Sequence, residues 1–104
     1  VNAKCSPAAK NIPVSRKKGH LGTRADGLDI VVSMVQKTLI TRIIHYGGTV
    51  NVYIYDGRGG IVATASQFVD GEGQCALELT TLDGGSYNVV VEFSNAIYVG
   101  SFEL

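Results

Sequence analysis

The chain of 104 residues is poor in the side chains that most site chemistry needs: two cysteines, two histidines and only 17% charged residues. A structural zinc site takes about four nitrogen or sulfur ligands. Cys5, Cys75, His20 and His45 form no C-x-x-C or H-x-x-x-H element, so such a site is excluded. A nucleophilic Cys–His pair needs an imidazole beside a thiol. Cys5 lies in the N-terminal segment, and Cys75, in QCALELT, shares an apolar side with Leu77 and Leu79. Cys75 therefore reads as a buried thiol acting as a small hydrophobe. The two cysteines permit one disulfide, but their separation in sequence fixes no distance in space, and no redox compartment follows.

Long apolar runs are also missing. None approaches the roughly 20 residues of a membrane helix, and no amphipathic run has helix length. The basic cluster Arg16-Lys17-Lys18 has no interleaved aromatics to stack on bases, so nucleic acid is not an expected partner. The chain opens VNAKCSPAAK, without an initiator Met or a signal-peptide pattern, so a processed or trimmed form is expected.

What is present is an uneven charge distribution. Six basic residues precede the first acid, Asp26, so residues 1–25 carry +6 and the rest carries −6. Residues 1–25 read as a basic arm or edge segment, and 26–104 as the core of one domain. A basic arm could meet an anionic partner; a solvated segment lying across an acidic sheet face is the plainer expectation.

Period-two alternation dominates the body. Val50, Val52 and Ile54 alternate with Asn51, Tyr53 and Tyr55, and Leu28, Ile30, Val32 and Met34 behave likewise. Residues 30–44 could be drawn as a helix, but their abundance of Ile, Val and Thr favours strands. Strands are expected at about 28–35, 38–46, 49–56, 60–69, 73–82, 86–94 and 97–104, with VDGEGQ and LDGGSY as turns. Seven strands with two apolar inner faces make an all-β fold, an antiparallel β-sandwich of the immunoglobulin or fibronectin type.

The glycines of YDGRGG raise the question of a phosphate loop. The dinucleotide fingerprint fails because Val62 stands where its third glycine belongs. No Lys-Ser/Thr pair follows for a P-loop, and IVATAS reads as strand, not as the helix N-terminus that would face an anion. The loop is expected to be a hairpin connection with Arg58 at its tip. DGEG, Asp70–Gly73, lacks the ligand series of an EF-hand and reads as a turn. Glu78 and Glu92 face the non-core side, where carboxylates are ordinarily just solvated. Tyr87 is placed like a tyrosine corner, whose phenol reaches back to the backbone.

The succession YDGRGG, IVATAS, LDGGSYNVVVEF and IYVGSFEL resembles the small, exported, immunoglobulin-like domains of unknown function found in gut anaerobes. Their D-x-x-G turn, G-x-Y corner and final Y-x-G-x-F strand fall at Asp56–Gly59, Gly85–Tyr87 and Tyr98–Phe102, and the likeness covers about residues 26–104. KTLITRIIHYGG is longer than the usual first connection. The resemblance implies a secreted, periplasmic or cell-surface location and no catalytic residues.

The leading expectation is a non-enzymatic binding or adhesion module for a protein or glycan, without a cofactor. Tyr53, Tyr55 and Arg58 are its candidate partner-binding residues, because exposed tyrosines give contact area at low entropy cost. The alternatives are an enzyme or enzyme-associated domain using Arg58, His45 and the acidic loop, or a self-associating domain. For the last, the final strand lacks a Pro or Lys to block edge pairing, which points to a homodimer.

Overall fold

A computed structural model of the chain describes residues 10–19, 29–94 and 96–104, which form seven antiparallel strands. These are β1 (Lys10–Ile12), β2 (Val14–Gly19), β3 (Asp29–Val35), β4 (Thr38–Tyr55), β5 (Ile61–Glu78), β6 (Ser86–Glu92) and β7 (Ala96–Glu103). The number expected from the sequence is right, but the division is not. The expected pairs 38–46 with 49–56, and 60–69 with 73–82, are each one strand of 18 residues. Two further strands, β1 and β2, lie within the segment read as an arm or edge.

Hydrogen bonding runs in the order β1-β3-β4-β6-β7-β2, with β5 along the far side of β4. Strand β4 changes partner midway. Its first half pairs with β3 and its second half with β6, while β5 accompanies both halves. Two layers result. One holds β1, β3, residues 38–44 of β4 and 72–78 of β5; the other holds β2, β7, β6, residues 49–55 of β4 and 61–69 of β5.

The bend between layers follows from local chemistry. His45 has φ 63° and is the extra residue of a bulge between the pairs Ile44↔Glu72 and Tyr46↔Gly71. A bulge inserts one residue and so reverses which parity points inward. The buried positions of β4 are accordingly Leu39, Thr41 and Ile43 before the bulge and Tyr46, Val50, Val52 and Ile54 after it. Opposite the bulge, Gly71 has φ 89° and lets β5 follow the corner. VDGEGQ is therefore not a turn: Asp70–Gly73 lies inside β5 at this bend. The Tyr46 ring fills the corner edge-on to Phe93, at 4.8 Å between centroids, and its hydroxyl accepts the Ser94 N–H at 2.9 Å.

The inner rows meet in one core. Val32, Met34, Leu39, Ile43 and Cys75 come from one layer, and Val50, Val52, Ile54, Tyr87, Val89, Val91 and Phe102 from the other. Ile12 of β1 joins them at 5% exposure, so the core reaches beyond residues 26–104. Cys75 is buried as expected, and burial raises the pKa of its thiol; Cys5, His20 and Leu28 lie outside the described residues. Tyr87 donates to the Asp83 carbonyl at 2.7 Å, the contact expected of a tyrosine corner.

The final strand is not an edge. β7 sits between β6 and β2, so the basis for placing a dimer contact there is gone. Among the described residues the edges are β1 and β2 on one side, joined through Pro13, which breaks the ladder between layers, and β5 on the other.

Candidate binding face

The outer face of the β2–β7–β6–β4–β5 layer carries the sequence's candidate residues. Strand alternation sends Val52 and Ile54 into the core at 1% and 0% exposure and leaves Tyr53 and Tyr55 half-buried on the other side. The register places Val90 beside Tyr53, Val99 beside Val90, and Ser15 beside Val99. One step along, Asn88 lies beside Tyr55 and Ser101 beside Asn88.

All of these positions except Tyr53 line an open trough of about 690 Å³. Tyr55, Val90 and Val99 give it an apolar floor, and Asn88, Ser101 and Ser15 give polar margins. Ser101 donates to Asn88 Oδ1 at 2.8 Å, which sets the amide's orientation across the two strands. Pro13 and Gly59 mark two of its borders. A smaller hollow of about 360 Å³ continues past Asn88 and Ser101 toward Gly57 and Glu103.

Tyr53 does not line the trough. Its hydroxyl donates to Glu92 Oε1 at 3.2 Å, and Asn51 Nδ2 donates to the same oxygen at 3.2 Å. Ser66 of β5 donates in turn to Asn51 Oδ1, so a polar row crosses three strands. The hydrogen bond to Glu92 raises the Tyr53 pKa, with burial and the carboxylate's charge adding in the same direction. This phenol stays protonated and oriented.

Arg58 stands exposed at the tip of the β4–β5 hairpin. The loop is built around Asp56, whose Oδ1 accepts the Gly60 N–H at 2.9 Å and the Arg58 N–H at 3.0 Å. Its backbone closes the turn through Asp56 N–H to Gly60 O at 2.9 Å and Gly59 N–H to Asp56 O at 3.0 Å. Gly59 supplies the left-handed conformation at φ 87°. The amides at Arg58, Gly59 and Gly60 are thus committed within the turn rather than directed at a phosphate, as the sequence indicated. The bonds to Gly60 and Arg58 hold the Asp56 carboxyl below the usual carboxylate range.

Of the groups named for an enzyme, His45 lies beside the acidic stretch of β5, but Arg58 does not join them. His45 sits at the bend of β4 near Asp70 and Glu72 on β5, whereas Arg58 lies beyond the strand's far end. At roughly 3.3 Å per residue, His45 and Tyr55 alone are about 30 Å apart along the chain. Glu78 and Glu92 are in different layers, paired with Thr38 and Asn51. Among the described residues, no group of three His, Cys, Asp or Glu side chains could hold a metal ion, and no helix is long and apolar enough to cross a membrane.

Sequence reasoning named Tyr55 but missed Val90 and Val99, the rest of the trough's floor. Its signal was Val89-Val90-Val91, a run of three valines in a strand that otherwise alternates: the middle one must face outward, where a polar residue is the ordinary choice. Ser15 and Pro13 carried no comparable signal.

No protein-family model and no curated protein matches this chain. Among solved structures it is similar to a DUF3244 family protein from Bacteroides vulgatus, described as having an immunoglobulin-like β-sandwich fold, with a TM-score of 0.74. The sequences are 14% identical, and the match covers 93% of this chain and 99% of that one. At that identity the likeness concerns the fold alone, and it agrees with the layers and core described above: the chain folds as an immunoglobulin-like β-sandwich.

Proposed function

We propose that this domain is a non-enzymatic binding module that receives a protein or glycan on the outer face centred on Tyr55. The observation carrying this reading is the trough itself. It joins an aromatic ring and two outward valines to polar margins in which Ser101 is hydrogen-bonded to Asn88. Flat apolar floors with a few polar groups at the rim suit sugar rings and extended peptides alike. Tyr53, tethered to Glu92, and Arg58, at the hairpin tip, flank the floor as secondary contacts.

Export to the periplasm or cell exterior belongs to the same reading and is supported only by the resemblance in fold and motifs. The binding reading is tested by screening the ¹⁵N-labelled domain against a glycan array and a peptide library, then mapping amide shifts. Shifts confined to residues 53–59, 88–90 and 99–101, and lost in Tyr55→Ala, support it. A ligand whose shifts fall elsewhere on the molecule sinks it. Fractionation of cells expressing the full-length gene product, probed by antibody, tests export; a purely cytoplasmic signal rejects it.

A further inference from the structure

Strand β5 is the open edge of both layers. Among the described residues, its 18 residues pair only with β4, leaving half of its backbone N–H and C=O groups directed away from the strands described. Natural edges are guarded by lysine, proline, inward charges, β-bulges or short length, and the one residue inserted in β5, Val62, lies near its start and outside residues 63–67. β5 has no proline, lysine or arginine and is among the two longest strands.

The two halves of this edge differ. Residues 61–69, IVATASQFV, contain no charged side chain, whereas residues 70–78, DGEGQCALE, carry Asp70, Glu72 and Glu78. The exposed large hydrophobics divide the same way. Among the described residues these are Val31, Ile61, Val62 and Phe68, so three of the four lie in the uncharged half. Phe68 is 67% exposed. The edge is thus apolar and neutral along one layer and acidic along the other.

We propose that residues 63–67 of β5, within the neutral half, pair antiparallel with the same residues of a second copy of this chain about a twofold axis at Ala65. The occupant is a second copy because the neutral segment is self-complementary. With the axis at residue 65, Thr64 of one chain lies opposite Ser66 of the other and Ala63 opposite Gln67, while Phe68 meets Val62, the extra residue of a bulge between the pairs Ile54↔Ala63 and Tyr55↔Ile61. In the regular pairs, Thr64 with Ser66 and Ala63 with Gln67, both members have the same parity, which antiparallel strands on a shared face require. The acidic half sets the extent: sliding the register so that residues 70–78 of two copies pair would set carboxylates against carboxylates, which is unfavourable. The five-stranded layers then join into one ten-stranded sheet whose outer faces are continuous. Each trough remains open, because it lies toward β2, at the opposite side of the layer. This inference stands independently of the binding reading.

The test uses the full chain in sedimentation equilibrium across a wide concentration range. Wild type is expected to shift reversibly to twice the monomer mass. Thr64→Lys with Ser66→Lys places lysine opposite lysine at two cross-strand positions, as Thr64→Glu with Ser66→Glu places glutamate opposite glutamate. Each double variant alone is expected to dissociate about tenfold or more easily. An equimolar mixture is expected to restore the dimer, because lysine then faces glutamate. That restoration separates the proposal from simple misfolding, and circular dichroism of each variant shows whether the fold is kept. A wild type that stays monomeric throughout overturns the proposal. So does a dimer that both variants leave intact, or a mixture of folded variants that fails to associate.

Discussion

The carbonyl oxygen of Pro13 lies 2.6 Å from the place a β-carbon on residue 100 would occupy, and Val14 Cγ1 lies 2.8 Å from it. Only glycine at position 100 lets the chain cross from β1 to β2 at this height. Gly100→Ala must therefore push the β1–β2 crossover outward. Overpacking of this kind costs about 1–3 kcal/mol, and a lowered urea midpoint with an unchanged m value would register it. An unaltered midpoint would mean that the crossover yields freely.

Tyr87 tests the corner between the β5–β6 connection and β6. Tyr87→Phe removes the bond to the Asp83 carbonyl while keeping the ring, which stacks on Phe102 at 5.8 Å and 19°. A net loss of about 0.5–1.5 kcal/mol is expected. Tyr87→Ala also empties a buried site, and its cost should rise to about 3–5 kcal/mol. Chemical denaturation of the pair separates hydrogen bond from packing.

Thr41 is 1% exposed, and its hydroxyl has no hydrogen-bond partner among the described residues. It faces inward from β4, opposite Cys75 on β5 and Val32 on β3. Thr41→Val exchanges the orphan hydroxyl for a methyl of similar shape. The domain should gain about 1–3 kcal/mol, the desolvation cost of an unmade bond. A loss of stability in thermal unfolding would contradict the orphan assignment.

Asp56 gives the β4–β5 hairpin an acid limit. Its carboxyl is held low mainly by the Gly60 and Arg58 amides, so the ionised form is bound more tightly in the folded state than in the unfolded one. A depressed carboxylate stabilises fully above its unfolded pKa, about 3.9, and loses that contribution as pH falls through the folded value. Asp56→Ala should be less stable than wild type at neutral pH, with the difference closing below about pH 4. A difference constant with pH would show that the charge is not what closes the loop.

Most of the sandwich was legible because its inner rows obey strict alternation. Val50, Val52 and Ile54, and Tyr87, Val89, Val91 and Phe93, are all buried as their spacing indicates. Two features hid. His45-Tyr46-Gly47-Gly48 looks like a break between strands, yet it is a bulge that reverses parity and lets one strand serve both layers. Glycine and aspartate at 70–73 look like a turn for the same reason: a bend in a long edge strand uses the residues that a hairpin uses. β1 and β2 hid behind their charges, since the core contact of that stretch falls on Ile12, buried at 5% exposure, and on Val14 packed against it. At the candidate site, the outward placement of Tyr53 and Tyr55 could be read from alternation, but the gathering of Tyr55 with Val90 and Val99 could not. It depends on which strands are neighbours, and pairing between distant segments leaves no local mark.

Because β4 and β5 each pass through both layers, the hairpin acts as a shared hinge pin. In a sandwich whose sheets are tied only by loops, one leaf can fray while the other holds. Here any loosening of residues 38–44 tugs on 49–55 along the same backbone. Slow hydrogen exchange in the two leaves should therefore report a common opening, and mechanical load applied to one will be borne by both.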